Sequence, residues 1–362
     1  MVSEFTPGLK LSEMFFHEVV KKIIESKYPR LKYTAALIGP GSEVIGFDDN
    51  VSSDHHWGLR LYLFIDKENY DKHYDTLFKL FRTKLPFEFR GHSTNWSLPD
   101  PNDSGTQMPQ LVNEGEINHR IEIFTVEKYL RKHLGLNNTN LTDIDWLLLP
   151  EQNLLEITSG KIFFDTHGEL SKVRNQFAYF PENVWKYKIL SEWDHIGGEI
   201  AFAGRTGEIG DELGSKMESS RLIRYIMRIA FLLEKSYAPY EKWFGTAFSK
   251  LKIAEKLEPL LLDIFEERKW QQRDSLLREA YMILIEEQNK LRITSEILVE
   301  PKPYFSRNMT VIDVQKVKDE LKKAIDPPLD KIQPIGSVDQ LLEVGGGFGS
   351  EFAEKARRFY EE

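Results

Sequence analysis

Apolar and polar positions change period several times along the first 130 residues. From Leu11 to Lys27 the apolar side chains recur three or four apart, which predicts an amphipathic helix. Tyr33 to Ile38 is a short unbroken apolar run stopped by Gly39-Pro40-Gly41, the pattern of a buried strand ended by a turn. Leu59 to Ile65 predicts a central strand, Asp71 to Phe81 the helix that follows it, and Ile117 to Val126 alternates as a third strand. Residues 90–116 are rich in Gly, Ser, Pro, Asn and Asp and predict a long surface insertion. The order helix, strand, turn, strand, helix, insertion, strand predicts a small α/β domain over residues 1–130.

Beyond Val126 the helical period dominates, as in Val184 to Ala203, Lys216 to Lys235 and Asp274 to Leu291. Ile157 to Asp165 interrupts it and predicts a hairpin. Ile293 to Tyr304 reads as extended, Ile312 to Ile325 as a charged helix, and Asp326-Pro327-Pro328 as a link. Residues 131–362 are therefore expected to form a mainly helical domain with a C-terminal extension. The fold class is α+β, a mixed-sheet N-terminal domain followed by helices.

Composition narrows the partners. The 362 residues carry 41% apolar and 29% charged side chains, with a net charge of -9. A surface that coats bulk nucleic acid needs clustered lysine and arginine, which this balance disfavours. There is no cysteine, which excludes disulfides and thiolate metal sites. Met1 to Lys10 lack a basic head and apolar signal core, and no apolar run reaches the roughly 20 residues that span a bilayer. No membrane partner is expected, and a cytoplasmic location is.

Candidate chemistry is concentrated between Gly39 and Gly58. Gly41 lets a backbone approach a phosphate without a Cβ in the way, and Ser42 offers an amide and a hydroxyl to its oxygens. A helix starting near Ser42 would add its N-terminal amides. Metal ligands at the head of the next strand should alternate, because residues two apart share a face. Asp54 and His56 have that spacing, and Glu122 is the carboxylate inside the third strand. Arg60, two residues beyond Gly58, is placed to steer a phosphate or to neutralise Asp54. Asp48 and Asp49 read as loop or helix-capping residues. Glu122 lies two residues from Arg120 on one strand face, so pairing between them is the competing reading.

Gly41-Ser42, Ser53-Asp54 and a carboxylate on a later strand resemble the nucleotidyltransferase superfamily of the DNA polymerase beta type. Longer strings resemble a microbial family known as a domain of unknown function. They are Leu37 to Asp49, Ser53 to Arg60, Trp146 to Gln152, Ala201 to Ser215, Tyr237 to Phe248 and Ile335 to Gln340. The superfamily resemblance implies metal-assisted attack of a hydroxyl on a nucleotide α-phosphate, with release of pyrophosphate. It implies a nucleoside triphosphate such as ATP at Gly41 and Ser42. It also implies a divalent magnesium or manganese ion at Asp54, His56 and Glu122, with Glu122 as base. Where the superfamily carries a second Asp, this chain has His56. Two carboxylates about 4 Å apart repel by roughly 4 kcal/mol at an effective dielectric near 20, a repulsion that a divalent cation relieves. Imidazole removes that repulsion and part of the attraction for magnesium, while manganese accepts nitrogen more readily. The expectation is a changed metal preference or weakened transfer, the latter making the protein a nucleotide-binding or sensor module.

In the helical half, Gly204 to Ser215 reads as a glycine-rich loop in which Arg205 could reach a phosphate. Arg221, Arg224 and Arg228 share one helix face. They suit either an anion or acidic residues of the same domain, such as Glu199, Glu208 or Asp211. Tyr237 to Phe248 is aromatic around Lys242, the candidate wall of a nucleotide or acceptor pocket. The expected acceptor is a small hydroxylated molecule, with a tRNA- or protein-modifying transferase as a further alternative. His17, His73 and His92 lack metal-like partners at short spacing, and His55 and His167 read as surface residues. Gly345 to Ser350 resembles a phosphate loop but lacks the βαβ context that would make it one.

Overall fold

The computed structural model describes residues 5–53, 56–103, 105–342 and 355–361. The chain forms two units, Met1–Asn140 with Asn153–Ala178, and Leu141–Gln152 with Tyr179–Glu362. The Gly345 to Ser350 stretch lies outside the described residues. Among the described residues no helix is long and apolar enough to cross a membrane.

The first unit is built on a sheet of four strands, β1 (Thr34–Leu37), β2 (Arg60–Phe64), β5 (Arg120–Phe124) and β6 (Lys161–Asp165), in the order β5-β2-β1-β6. β2 and β5 are parallel, while β1 runs antiparallel to both β2 and β6. The two-residue period sends Leu61, Leu63, Ile121 and Ile123 into one core with Phe15, Phe16, Leu77 and Phe81. Each such side chain is worth about 1.5–3 kcal/mol on full burial. The helices over that face are α1 (Gly8–Phe15), α2 (Lys21–Lys27) and α4 (Lys67–Lys84). A π-helical turn at Phe16–Val20 joins α1 to α2, and the adjacent Phe15 and Phe16 are both buried beside it.

Two expectations change here. Residues 157–165 do not form a hairpin: Lys161–Asp165 is a sheet strand whose partner β1 lies more than a hundred residues earlier. Gly160 makes the entry, with φ +68° and an amide donating to the Val44 carbonyl at 2.9 Å; a Cβ there would sit 2.1 Å from the Leu37 oxygen. The first unit therefore continues past residue 130. The 90–116 insertion, which contributes β4 (His92–Ser93) to a short pair with β3 (Glu88–Phe89), also enters the core. Trp96 is 1% exposed and its indole N–H donates to the Leu59 carbonyl at 3.3 Å.

The second unit is helical, with α9 (Glu182–Glu199), α11 (Glu212–Leu233) and α14 (Trp270–Lys290) at its centre and α10 (Phe202–Glu208), α12 (Glu241–Phe248), α13 (Ala254–Glu266) and α15 (Val314–Lys323) around them. α9 is buried on most sides, including Lys188 and Glu192, and Trp193 donates to Gln288 of α14 at 2.9 Å. Residues 204–208, expected in a loop, belong to α10, and the turn to α11 is confined to 209–211. Gly207 explains the glycines: a Cβ there would lie 2.3 Å from the Trp270 ring, so the helices meet at glycine.

His119, just before β5, is buried in the first unit with both ring nitrogens engaged. Nε2 lies 3.1 Å from the Phe78 carbonyl, and Nδ1 accepts the Ile121 amide at 3.1 Å. Nδ1 must be unprotonated to accept, and burial pushes the pKa from 6.5 down to about 4. Between those values the unfolded chain binds a proton that the native one refuses, so stability falls as pH drops through this window, by up to about 1.4 kcal/mol per pH unit. We expect His119→Gln to show a shallower loss between pH 6.5 and about 4 in urea titrations; equal slopes would contradict this.

Candidate functional site

β1 ends in Leu37 and the chain turns through Gly39 (φ +82°) and Gly41 (φ +139°) into α3 (Ser42–Ile45), so a helix does begin at Ser42. It is a single turn, with little of the dipole that a long helix offers an anion. What lies against Gly41 is internal. A Cβ there would come within 2.2 Å of Arg60 Nη2 and 2.5 Å of Glu43 Oε2. Arg60 Nε donates to Glu43 Oε1 at 2.7 Å, Nη2 lies 2.6 Å from the same oxygen, and Nη2 also donates to the Pro40 carbonyl. Both side chains are almost wholly buried. Burial alone would lower the Arg60 pKa, but Glu43 and the Tyr62 phenol hold it above the ordinary arginine value. Arg60 is thus committed to Glu43, a partner the sequence reading missed, and glycine at 41 is required by that pair.

The loop after α3 is also tied inward. Ser42 Oγ donates to the Ser52 carbonyl at 3.0 Å. Asp48 accepts the Gly8 amide at 2.7 Å and the Trp57 indole at 3.0 Å, anchoring the N-terminus of α1. Asp49 accepts the amides of Val51 and Ser52, a local turn.

The parallel register sets Arg60 beside Arg120 and Tyr62 beside Glu122, so all four occupy the sheet face opposite the α1, α2 and α4 core. Asp54 lies outside the described residues. His56 does not continue a strand backwards from β2: its φ is +55°, in the left-handed region, and β2 begins only at Arg60. The alternation expected of positions 54 and 56 is therefore not realised at His56. His56 and Glu122 nevertheless meet one group. Arg120 Nη1 lies 3.0 Å from His56 Nδ1, and Arg120 Nη2 lies 3.7 Å from Glu122 Oε1. The guanidinium also stacks over Trp96 at 5.2 Å, and Lys132 of α5 (Val126–Leu134) reaches Glu122 Oε2 at 3.0 Å.

A cation thus stands between two of the three expected metal ligands. Arg120 occupies His56 Nδ1, and two positive groups hold Glu122, so these residues do not fit a divalent metal. Among the described residues no group of three His, Cys, Asp or Glu could hold one. Burial first, then the nearby Arg60, pull the Arg120 guanidinium below its ordinary value, while Glu122 acts the other way.

Arg205 and Lys242 belong to the second unit. Arg205 is exposed on α10 over the Phe202 ring at 5.6 Å, and Lys242 is exposed on α12 over Trp243 at 4.9 Å. Of the arginine row, Arg221 meets Glu199 at 2.7 Å, Arg224 meets Glu241 at 2.6 Å and Arg228 approaches Glu192 at 3.6 Å. Acidic residues of the same unit therefore answer all three, Glu199 among those expected.

Residues 146–244 match a family described as a domain of unknown function, DUF4037. No curated protein matches the chain. Among solved structures, a nucleotidyltransferase-like protein from Exiguobacterium sibiricum is similar at 10% identity and a TM-score of 0.31, over 83% of this chain and 97% of that one.

Removing one partner of a buried ion pair leaves the other uncompensated, at a cost of about 3–5 kcal/mol, whereas replacing both with apolar groups is often neutral. Glu43→Ala should lower unfolding free energy by about that amount, and Glu43→Leu with Arg60→Met should regain most of it. Chemical denaturation decides; a loss below about 1 kcal/mol in Glu43→Ala would mean the pair is not the clamp described.

Proposed function

We propose that the first unit is a nucleotide site of nucleotidyltransferase type that binds a nucleoside triphosphate, ATP among them, and transfers its nucleotidyl group weakly or not at all. The observation that supports this is the Arg120 guanidinium, 15% exposed, set between His56 and Glu122 beside Lys132. A triphosphate is the ligand that two such cations and the corner amides at Gly41 and Ser42 suit. Arg120 offers planar, paired donors to phosphate oxygens and Lys132 a compact charge.

Transfer of a nucleoside monophosphate to a hydroxyl of a small acceptor is the second reading, favoured by Glu122 lying on a strand beside Arg60 and near the Gly41 corner. On that reading a metal ion would first require Arg120 to leave His56 and Glu122. Glu122, paired with Arg120 and Lys132, would take the acceptor proton. The acidic overall charge supports a small acceptor over nucleic acid.

Calorimetry with ATP, with and without manganese, separates these readings. Arg120→Ala is expected to weaken ATP binding at least tenfold, about 1.4 kcal/mol. Pyrophosphate release should be no greater than in Asp54→Ala, and His56→Asp should raise the magnesium dependence of binding. Release abolished by Asp54→Ala would establish the transferase instead, and the absence of ATP binding would remove both.

A further inference from the structure

Five large apolar side chains gather on one outer surface of the second unit, and what they do is independent of the phosphate reading. They are Ile209 in the turn before α11, Leu213 and Met217 on α11, and Leu262 and Phe265 on α13, each between 51% and 78% exposed. Leu213 and Met217 are four residues apart and Leu262 and Phe265 three, so each pair shares a helix face. The inward stripe of α13, with Leu257, Leu261 and Ile264, is already buried, so Leu262 and Phe265 are surplus to the core of the unit. Single exposed leucines are ordinary on a protein surface, but an apolar cluster drawn from two helices marks an interaction site.

The two helices are fastened where these residues lie. Arg273 of α14, itself buried, donates to Glu212 of α11 at 2.6 Å and to the Glu267 carbonyl just past α13 at 3.0 Å. Lys216 Nζ donates to the Phe265 carbonyl at 3.4 Å, which sets the two apolar pairs on adjoining helices. The seam is therefore carried by fixed helices rather than by a loop. Its rim on α13 is acidic: Glu255, Glu258, Leu262 and Glu266 recur three or four residues apart along one side, with Phe265 among them. Lys256 lies on the other side and is bonded to Glu287 of α14 at 2.7 Å. Lys216 is the cation of the seam itself. Arg268 and Lys269 share a hollow with Asp263, Glu266 and Glu267, two cations against three carboxylates.

We propose that this seam docks an amphipathic helix of another protein, one whose apolar stripe is flanked by lysine and arginine. The stripe lies along Leu213, Met217, Leu262 and Phe265, and the flanking cations meet Glu255, Glu258 and Glu266. A second copy of this chain is the poorer occupant. A two-fold contact places one patch against itself, so the acidic side of α13 would face its own like charges, in a chain of net charge -9.

The probe is a fluorescent peptide of about 18 leucine and lysine residues with the leucines at helical period, and its control carries glutamate in place of lysine. Fluorescence anisotropy with the full chain should show one-to-one binding of the lysine peptide at a Kd of about 10 μM or tighter, and none of the control. Raising sodium chloride to about 0.5 M should weaken it about fivefold. Leu213→Ser with Met217→Ser, and separately Leu262→Ser with Phe265→Ser, should each weaken binding about tenfold or more. These side chains are exposed, so both variants should keep the thermal midpoint of the parent chain. Glu255→Gln with Glu266→Gln should weaken binding and flatten its salt dependence. No binding of the lysine peptide up to about 200 μM overturns the proposal. Equal affinity in both serine variants also overturns it, since net charge alone would then hold the peptide. So does a dimer in sedimentation velocity that the serine variants dissolve, because a second copy would then cover the seam.

Discussion

The first unit depends on one buried ion pair. Arg60 opens the central strand with a charge where the sheet is otherwise covered, and Glu43, on the single turn after β1, neutralises it. Everything near the corner follows from that requirement. Gly41 must be glycine because the guanidinium and carboxylate come too close for a Cβ. The Pro40 carbonyl takes a further Arg60 donor, so the corner before α3 is tied to β2. With Arg60 occupied, the charge available on that face is Arg120, one strand over in register, and it inherits the contact with His56 and Glu122.

The same economy operates in the helical unit. There α9 buries Lys188 and Glu192, and the residues that answer them come from Glu151, Arg228 and the segment from Ser337 to Gln340. Buried charge is expensive to keep without a partner.

Much of the fold was legible because it rests on local period. The helix at 11–27, the strands at 34–37, 60–64 and 120–124 and the long helices of the second unit all follow from the spacing of apolar residues. What local period cannot carry is non-local pairing. Lys161–Asp165 looks like half of a hairpin until β1 is seen to be its partner, and Trp96 sits in a polar tract that gives no sign of its burial. At the site, the Gly41-Ser42 corner and the face shared by Arg60 and Glu122 were readable from motif and alternation. The Glu43 partnership was not, since no local period links residue 43 to residue 60. Nor was the left-handed backbone at His56, which a histidine seldom adopts and nothing in its neighbours announces. The competing reading of Glu122, pairing with Arg120 on one strand face, matches the 3.7 Å contact between them.

The account turns on whether the Arg120 face takes polyphosphate. A crystal structure with a non-hydrolysable ATP analogue and manganese tests it most directly. The account predicts phosphate oxygens hydrogen-bonded to Arg120 and Lys132, with the Arg60–Glu43 pair intact behind them. An analogue bound elsewhere, or a manganese ion seated between His56 and Glu122 with Arg120 swung away, would contradict it.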